Sequence, residues 1–133
     1  DREVDIADNH RYLDLLLQTI ISDYSLKNCP FNLLAFSQGI ATACRWLVST
    51  EFKFQQIILW AGSIPTDIDW ESEVEKFNKM KVHYVFGEQD EFFNSKKINE
   101  NTELLAHAKI NYQLTTFEGK HELKDEVLAS LIK

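Results

Sequence analysis

The sequence predicts an α/β protein: three α/β/α layers around a mainly parallel sheet, with about four strands visible. Three observations carry this. Helix-like and strand-like segments alternate along the whole 133 residues. The first two strand-like segments are apolar throughout, as a sheet covered on both faces requires. Successive strands are separated by helices, which favours parallel pairing through right-handed crossovers.

The elements follow in order. From Asp8, a plausible N-cap, the residues Tyr12, Leu13, Leu16, Leu17, Ile20, Ile21 and Tyr24 recur at helical spacing and form one apolar stripe. Asn28-Cys29-Pro30 ends that helix. Residues 31–36 (FNLLAF) have strand length. Residues 38–50 read as a helix rich in small and apolar side chains, among them Ile40, Ala41, Ala43, Cys44 and Leu47. Residues 56–61 (QIILWA) form a second buried strand, and Gly62-Ser63-Ile64-Pro65 a loop. Trp70, Val74 and Phe77 mark a short helix. Residues 81–86 (KVHYVF) are a third strand. Residues 95–108 are helical, with Ile98, Leu105 and Ala108 inward. Residues 110–117 are a fourth strand in which Ile110, Tyr112, Leu114 and Thr116 alternate with polar neighbours, as suits a position near an edge. Leu123, Val127, Leu128 and Leu131 face inward from a last helix. The length suits one domain over residues 1–133.

Composition narrows the function. Hydrophobic residues make up 44% and charged residues 26% of the chain, as in soluble globular proteins. Fourteen Lys and Arg against 21 Asp and Glu give a net charge of −7, a field that repels nucleic acid. Two cysteines, Cys29 and Cys44, are too few for a disulfide framework and read as free thiols of a reducing compartment. No Cys/His cluster has zinc spacing, so no metal is expected. No apolar run approaches the ~18 residues that span a bilayer, and no signal peptide is visible. These features predict a cytoplasmic protein without stable membrane insertion; a homodimer is compatible with them.

In an open parallel sheet, sites form beyond the C-terminal ends of the strands. Three segments there carry chemistry. Ala35-Phe36-Ser37-Gln38-Gly39 lies between a strand and a helix. A sharp turn there pushes the Ser37 hydroxyl out of the sheet, and it calls for small residues two before and two after the serine, met by Ala35 and Gly39. Ala41 would let the helix pack closely. The backbone N–H of Gln38, at the helix N-terminus, can donate to a developing oxyanion. Gly87-Glu88-Gln89-Asp90 follows the third strand. Asp90 is preferred to Glu88 and Glu91 as an imidazole partner, because the turn after Gly87 points a short side chain back over the sheet. Gly119-Lys120-His121-Glu122 follows the fourth strand, and His121 there can reach the serine as a general base. His10, His83 and His107 sit inside or near the ends of regular elements and read as structural or solvated. The chain order Ser, Asp, His is that of the α/β-hydrolases.

On these residues the sequence resembles the α/β-hydrolase superfamily, and within it the phospholipase/carboxylesterase family of small serine esterases. The resembling stretches are Phe36-Ser37-Gln38-Gly39, Ala61-Gly62-Ser63-Ile64-Pro65, Phe86-Gly87-Glu88-Gln89-Asp90 and His121-Glu122, and the match they belong to extends over nearly the whole chain. The resemblance implies hydrolysis of a carboxylic ester, thioester or lysophospholipid through an acyl-Ser37 intermediate. It implies no cofactor. Ile64, Pro65, Phe92 and Phe93 are candidates for lining an apolar substrate pocket. The sequence departs from the family pattern at Ala35, where the elbow usually has Gly, and at Glu91-Phe92-Phe93, where Pro and Val are usual. The strands and the Gly-rich loop that precede the first helix in the family are not in the sequence, which begins Asp1-Arg2-Glu3; the chain is expected to be the C-terminal portion of the fold. That loop supplies a second oxyanion donor in the family, and loss of one donor costs roughly 10²–10³ in rate. The alternatives are a catalytically inactive hydrolase-like module that binds a ligand or partner, and a flavodoxin-like binding domain. A dienelactone-type hydrolase is disfavoured by Ser37, where such enzymes usually carry Cys.

Overall fold

The computed structural model describes residues 1–132. Its elements are α1 (Arg2–Asp23), β1 (Asn32–Phe36), α2 (Gly39–Ser49), β2 (Gln56–Trp60), α3 (Val74–Asn78), β3 (Lys81–Gly87), α4 (Ser95–His107), β4 (Gln113–Phe117) and α5 (Asp125–Leu131). The four strands pair in parallel in the order β1-β2-β3-β4, with Phe36 opposite Trp60, Trp60 opposite Val85, and Val85 opposite Thr115. Chain order and spatial order coincide, so the four C-terminal strand ends form one rim.

Alternation along the central strands divides the core. Ile57 and Leu59 of β2 and Val82, Tyr84 and Phe86 of β3 pack on one face against α2, α3 and α4, with Leu13 and Leu17 of α1 at the margin. Ile58 and Trp60 of β2, Val85 of β3 and Phe117 of β4 pack on the other face, where α5 supplies Val127, Leu128 and Leu131. Every residue of β2 is buried. That is why β2 reads as an unbroken apolar run, and each such side chain contributes roughly 1.5–3 kcal/mol of transfer free energy.

The edges differ from what hydropathy predicts. β1 is not covered on both faces: Leu34 is 39% exposed. In β4 the inward pattern stops early. Ile110 and Tyr112 reach the core, but both precede the strand; Leu114 is exposed and Thr116 turns its hydroxyl to Glu88. Both strands have a neighbour on one side only. The N-cap of α1 is Asp1, not Asp8, and its apolar stripe is mostly solvated, with Tyr12, Leu16, Ile20 and Tyr24 exposed. Instead α1 is tied to α2 by polar contacts: Asp14 accepts from Trp46 Nε1 at 2.7 Å and from Thr50 Oγ1 at 2.6 Å. Leu123 precedes α5 and is exposed rather than part of its inner face.

Neither cysteine is paired: Cys29 is exposed and Cys44 buried, its thiol pushed up to about 12 by burial. No helix among the described residues is long and apolar enough to cross a membrane.

His83 of β3 is buried, its Nε2 3.0 Å from Gln56 Oε1 and its Nδ1 without a hydrogen-bond partner among the described residues. Burial, helped by nearby Lys81, holds its pKa below the ordinary value of 6.5. Below about pH 6.5 the unfolded chain therefore binds the proton that the folded chain resists, and stability falls. Unfolding by urea is expected to need less denaturant at pH 5.5 than at pH 7.5, and His83→Gln is expected to shrink that difference. An equal pH dependence in both proteins would refute this role of His83.

Candidate active site

The elbow after β1 is built from backbone constraints. Ser37 sits at φ 55°, a conformation that L-residues adopt only when the surroundings enforce it. Two contacts enforce it. The Ser37 N–H donates to the carbonyl of Trp60 at 2.7 Å, extending the β1–β2 pairing by one bond. Behind it lies Gly62, where an added Cβ would stand 2.2 Å from the Ser37 carbonyl oxygen. Gly62 is held in turn by the buried Tyr84 hydroxyl, which donates to its carbonyl at 2.7 Å. The close approach is thus not where the sequence pattern puts it. A Cβ at Gly39 would meet nothing within 4 Å, and Ala41 lines the cavity over Ser37.

The loop after β3 places Asp90. Its Oδ1 accepts from the backbone N–H groups of Phe92 (2.8 Å) and Phe93 (3.0 Å), and its Oδ2 lies 2.8 Å from His121 Nδ1. The side chain is fully buried. A desolvated carboxylate is tolerable because these three donors satisfy it. Glu91 stays exposed, and Glu88 is engaged by Thr116.

His121 closes the array, with Nε2 3.0 Å from Ser37 Oγ. With Nδ1–H donated to the carboxylate, Nε2 is left as an acceptor for the serine hydroxyl. The ring lies between two aromatic side chains, Phe36 at 5.0 Å and Phe92 at 5.2 Å between centroids. The loop that carries it is fastened at both ends. Gln89 N–H donates to Gly119 O at 2.9 Å, and Trp60 Nε1 donates to Glu122 O at 2.9 Å. So the three side chains singled out in the sequence meet, although 84 residues separate Ser37 from His121. The other histidines do not join them: His10 Nδ1 is at Ser49 Oγ, His83 is buried beside Gln56, and His107 faces Glu71.

A cavity of about 580 Å³ opens over the array. Gln38 lines it, and its backbone N–H begins α2 with no protein acceptor among the described residues. A carbonyl oxygen that gains charge there would meet this donor and the positive end of the helix. Of the four pocket candidates, Phe92 and Phe93 line the cavity. Ile64 and Pro65 do not. The Ile64 N–H is drawn inward by Asn101 Oδ1 at 2.6 Å, and the Pro65 carbonyl by Trp70 Nε1 at 2.9 Å, so the loop turns both into the core. Gly62 and Ser63 take their place, together with Lys97 from α4. The sequence signal for Lys97 was weak, since α4 reads only as a polar helix. Trp60 and Tyr84 lie in the strand segments 56–61 and 81–86, whose apolar pattern carries no sign of the hydrogen bonds that their side chains make. Among the described residues no cluster of His, Cys, Asp or Glu could hold a metal ion.

Comparisons with known proteins agree on the architecture. The family described as Phospholipase/Carboxylesterase matches residues 1–133. No curated protein gives a significant match. Among solved structures, Arabidopsis thaliana SOBER1 is similar at 14% identity and a TM-score of 0.68, over 95% of this chain and 60% of its own. The Bacillus cereus carboxylesterase is similar at 18% identity and a TM-score of 0.68, over 97% of this chain and 59% of its own. An uncharacterized Bacillus cereus protein gives 20% identity and a TM-score of 0.75, over 97% of this chain and 43% of its own. The chain thus spans less than two thirds of each of these structures.

The contact behind the elbow can be tested directly. Gly62→Ala is expected to push Ser37 away from His121 Nε2 and, as overpacking, to lower stability by about 1–3 kcal/mol. A crystal structure of the variant and its urea midpoint measure both; an unshifted Ser37 Oγ at full stability would show that the elbow does not depend on Gly62.

Proposed function

Because the chain belongs to the phospholipase/carboxylesterase family, we propose that it works as a serine hydrolase that cleaves a carboxylic ester, thioester or lysophospholipid. The observation that supports this most is the continuous hydrogen-bonded line from Ser37 Oγ through His121 to the buried Asp90 carboxylate. In a hydrolase each atom of that line has a task.

His121 Nε2 takes the Ser37 proton while Oγ attacks the carbonyl carbon. The Asp90 carboxylate keeps the imidazole in the Nδ1–H tautomer and stabilises the imidazolium that forms. The carbonyl electrons move onto oxygen, where the Gln38 N–H donates to them. The tetrahedral species then collapses. The bond to the leaving oxygen or sulfur breaks, and that atom takes the proton from His121 Nε2. The acyl group remains on Ser37. Water enters, gives a proton to His121, and attacks the acyl carbon. The second collapse releases the acid and returns the proton to Ser37 Oγ. No metal or organic cofactor enters these steps. The Phe36 and Phe92 rings beside the imidazole lower the local polarity around it, which strengthens its interactions with both partners.

The test is labelling with a fluorophosphonate, which reacts with an activated serine. The full-length protein is expected to label, and Ser37→Ala is expected to remain folded and unlabelled. Turnover of a short-chain ester is expected to fall at least about 10³-fold in the variant. A folded wild-type protein that neither labels nor turns over an ester would instead make this a hydrolase-like binding module.

A further inference from the structure

We propose that Lys97 is a specificity-determining residue, and that the ester received by this cavity carries an anionic group. The inference deepens the serine-hydrolase reading and rests on it.

Lys97 and His121 are the cavity's basic side chains, and Lys97 brings an ammonium group to it. It stands in the first turn of α4, where Asn94 caps its backbone N–H. A cation there opposes the helix macrodipole, which favours acids at that end. No acid occupies the first turn to compensate. The neighbouring Lys96 has a helical partner, Glu100, but Lys97 forms no ion pair among the described residues. This is notable in a chain with 21 acidic residues and a net charge of −7. Helix stability and surface pairing therefore do not account for Lys97.

The Lys97 side chain is exposed, and its Nζ donates to the Phe92 carbonyl at 2.9 Å, beside the ring that lies 5.2 Å from that of His121. An ammonium has three donors. The carbonyl takes one, and two remain for a ligand. The overall negative field of the protein works against an anionic substrate, and one anchored cation in the cavity reverses that locally. The remaining walls near the reacting atoms are apolar or neutral, with Ala41, Ala61, Phe92 and Phe93. The substrate class this fits is an ester with a compact charged group joined to a short apolar part. The charge can sit on the acyl side, as the free carboxylate of a dicarboxylic half-ester, or on the alcohol side, as a phosphate.

Paired substrates separate these sources. One pair is a phenyl hemisuccinate against phenyl butyrate. The other is the acetate ester of ethylene glycol monophosphate against that of ethylene glycol. For each pair the ratio of kcat/KM, anionic over neutral, is measured in the full-length protein and in Lys97→Met, Lys97→Glu and Lys97→Arg. The ratio of one pair is expected to fall about twofold to fivefold in Lys97→Met, the size of one exposed charge pair. It falls further in Lys97→Glu and is retained in Lys97→Arg. The difference shrinks as salt is raised. The pair that responds identifies the side that bears the charge. If neither ratio changes in Lys97→Met or Lys97→Glu, the inference is overturned. It is equally overturned if all four esters slow by one factor, because Lys97 then acts only as a clasp on Phe92. Normal labelling by fluorophosphonate in those outcomes leaves the hydrolase reading standing; a protein that hydrolyses none of the esters and does not label removes both.

Discussion

The site depends on a distance that side chains alone cannot cross. Ser37 follows β1 and His121 follows β4, and β2 and β3 lie between. At about 4.8 Å per strand spacing, β1 and β4 are about 14 Å apart. An imidazole on its Cβ spans less than half of that, so the loop after β4 has to travel across the strand ends. It crosses β3 where Gly87 has no side chain: a Cβ there would lie 2.4 Å from the Gly119 carbonyl oxygen and 2.5 Å from that of Lys120. It then lands on β2, where Trp60 Nε1 donates to the Glu122 carbonyl. The missing side chain at Gly87 and the indole of Trp60 are what bring His121 within 3.0 Å of Ser37.

Trp60 serves both ends of the array. Its carbonyl fixes the Ser37 N–H and its indole fixes the loop of His121. Its ring is fully buried against Phe117, in the core that α5 covers. A site that must hold two distant groups within tenths of an ångström gains from referring both to one rigid residue at the centre of the sheet. Central strands open last in a folded protein, which makes β2 a suitable reference.

Much of this was legible from residue order. Strand segments between helices gave the parallel sheet, and the junctions Ser37, Asp90 and His121 all lie at its C-terminal rim. What was not legible depends on neighbours in space. Leu34 and Leu114 look like core residues until the strand order leaves each on an edge. Ile64 and Pro65 look like pocket walls until Asn101 and Trp70 pull their backbone inward. The small-residue rule of the elbow assigned Gly39 a packing role that falls to Gly62, twenty-five positions from Ser37 and visible only once β1 and β2 pair. Lys97 carried no pattern at all, because its meaning comes from a cavity that four separate segments enclose.

The Asp90 carboxylate couples the imidazole to the wall of the cavity. Its two oxygens divide the work: Oδ2 holds His121, while Oδ1 gathers the N–H groups of Phe92 and Phe93. The backbone turn so formed sets the Phe92 ring 5.2 Å from that of His121, at a steep angle to it, and presents the Phe92 carbonyl to Lys97 Nζ. Phe93, facing inward, rests on Tyr84 and Phe86 and keeps the turn from sliding. A residue at 90 with a longer side chain, such as Glu, would have to give up one of these two sets of bonds to keep the other. In this chain Asp90 organises the cavity wall as well as the imidazole, so a ligand that pressed on Phe92 would press, through one buried carboxylate, on His121 too.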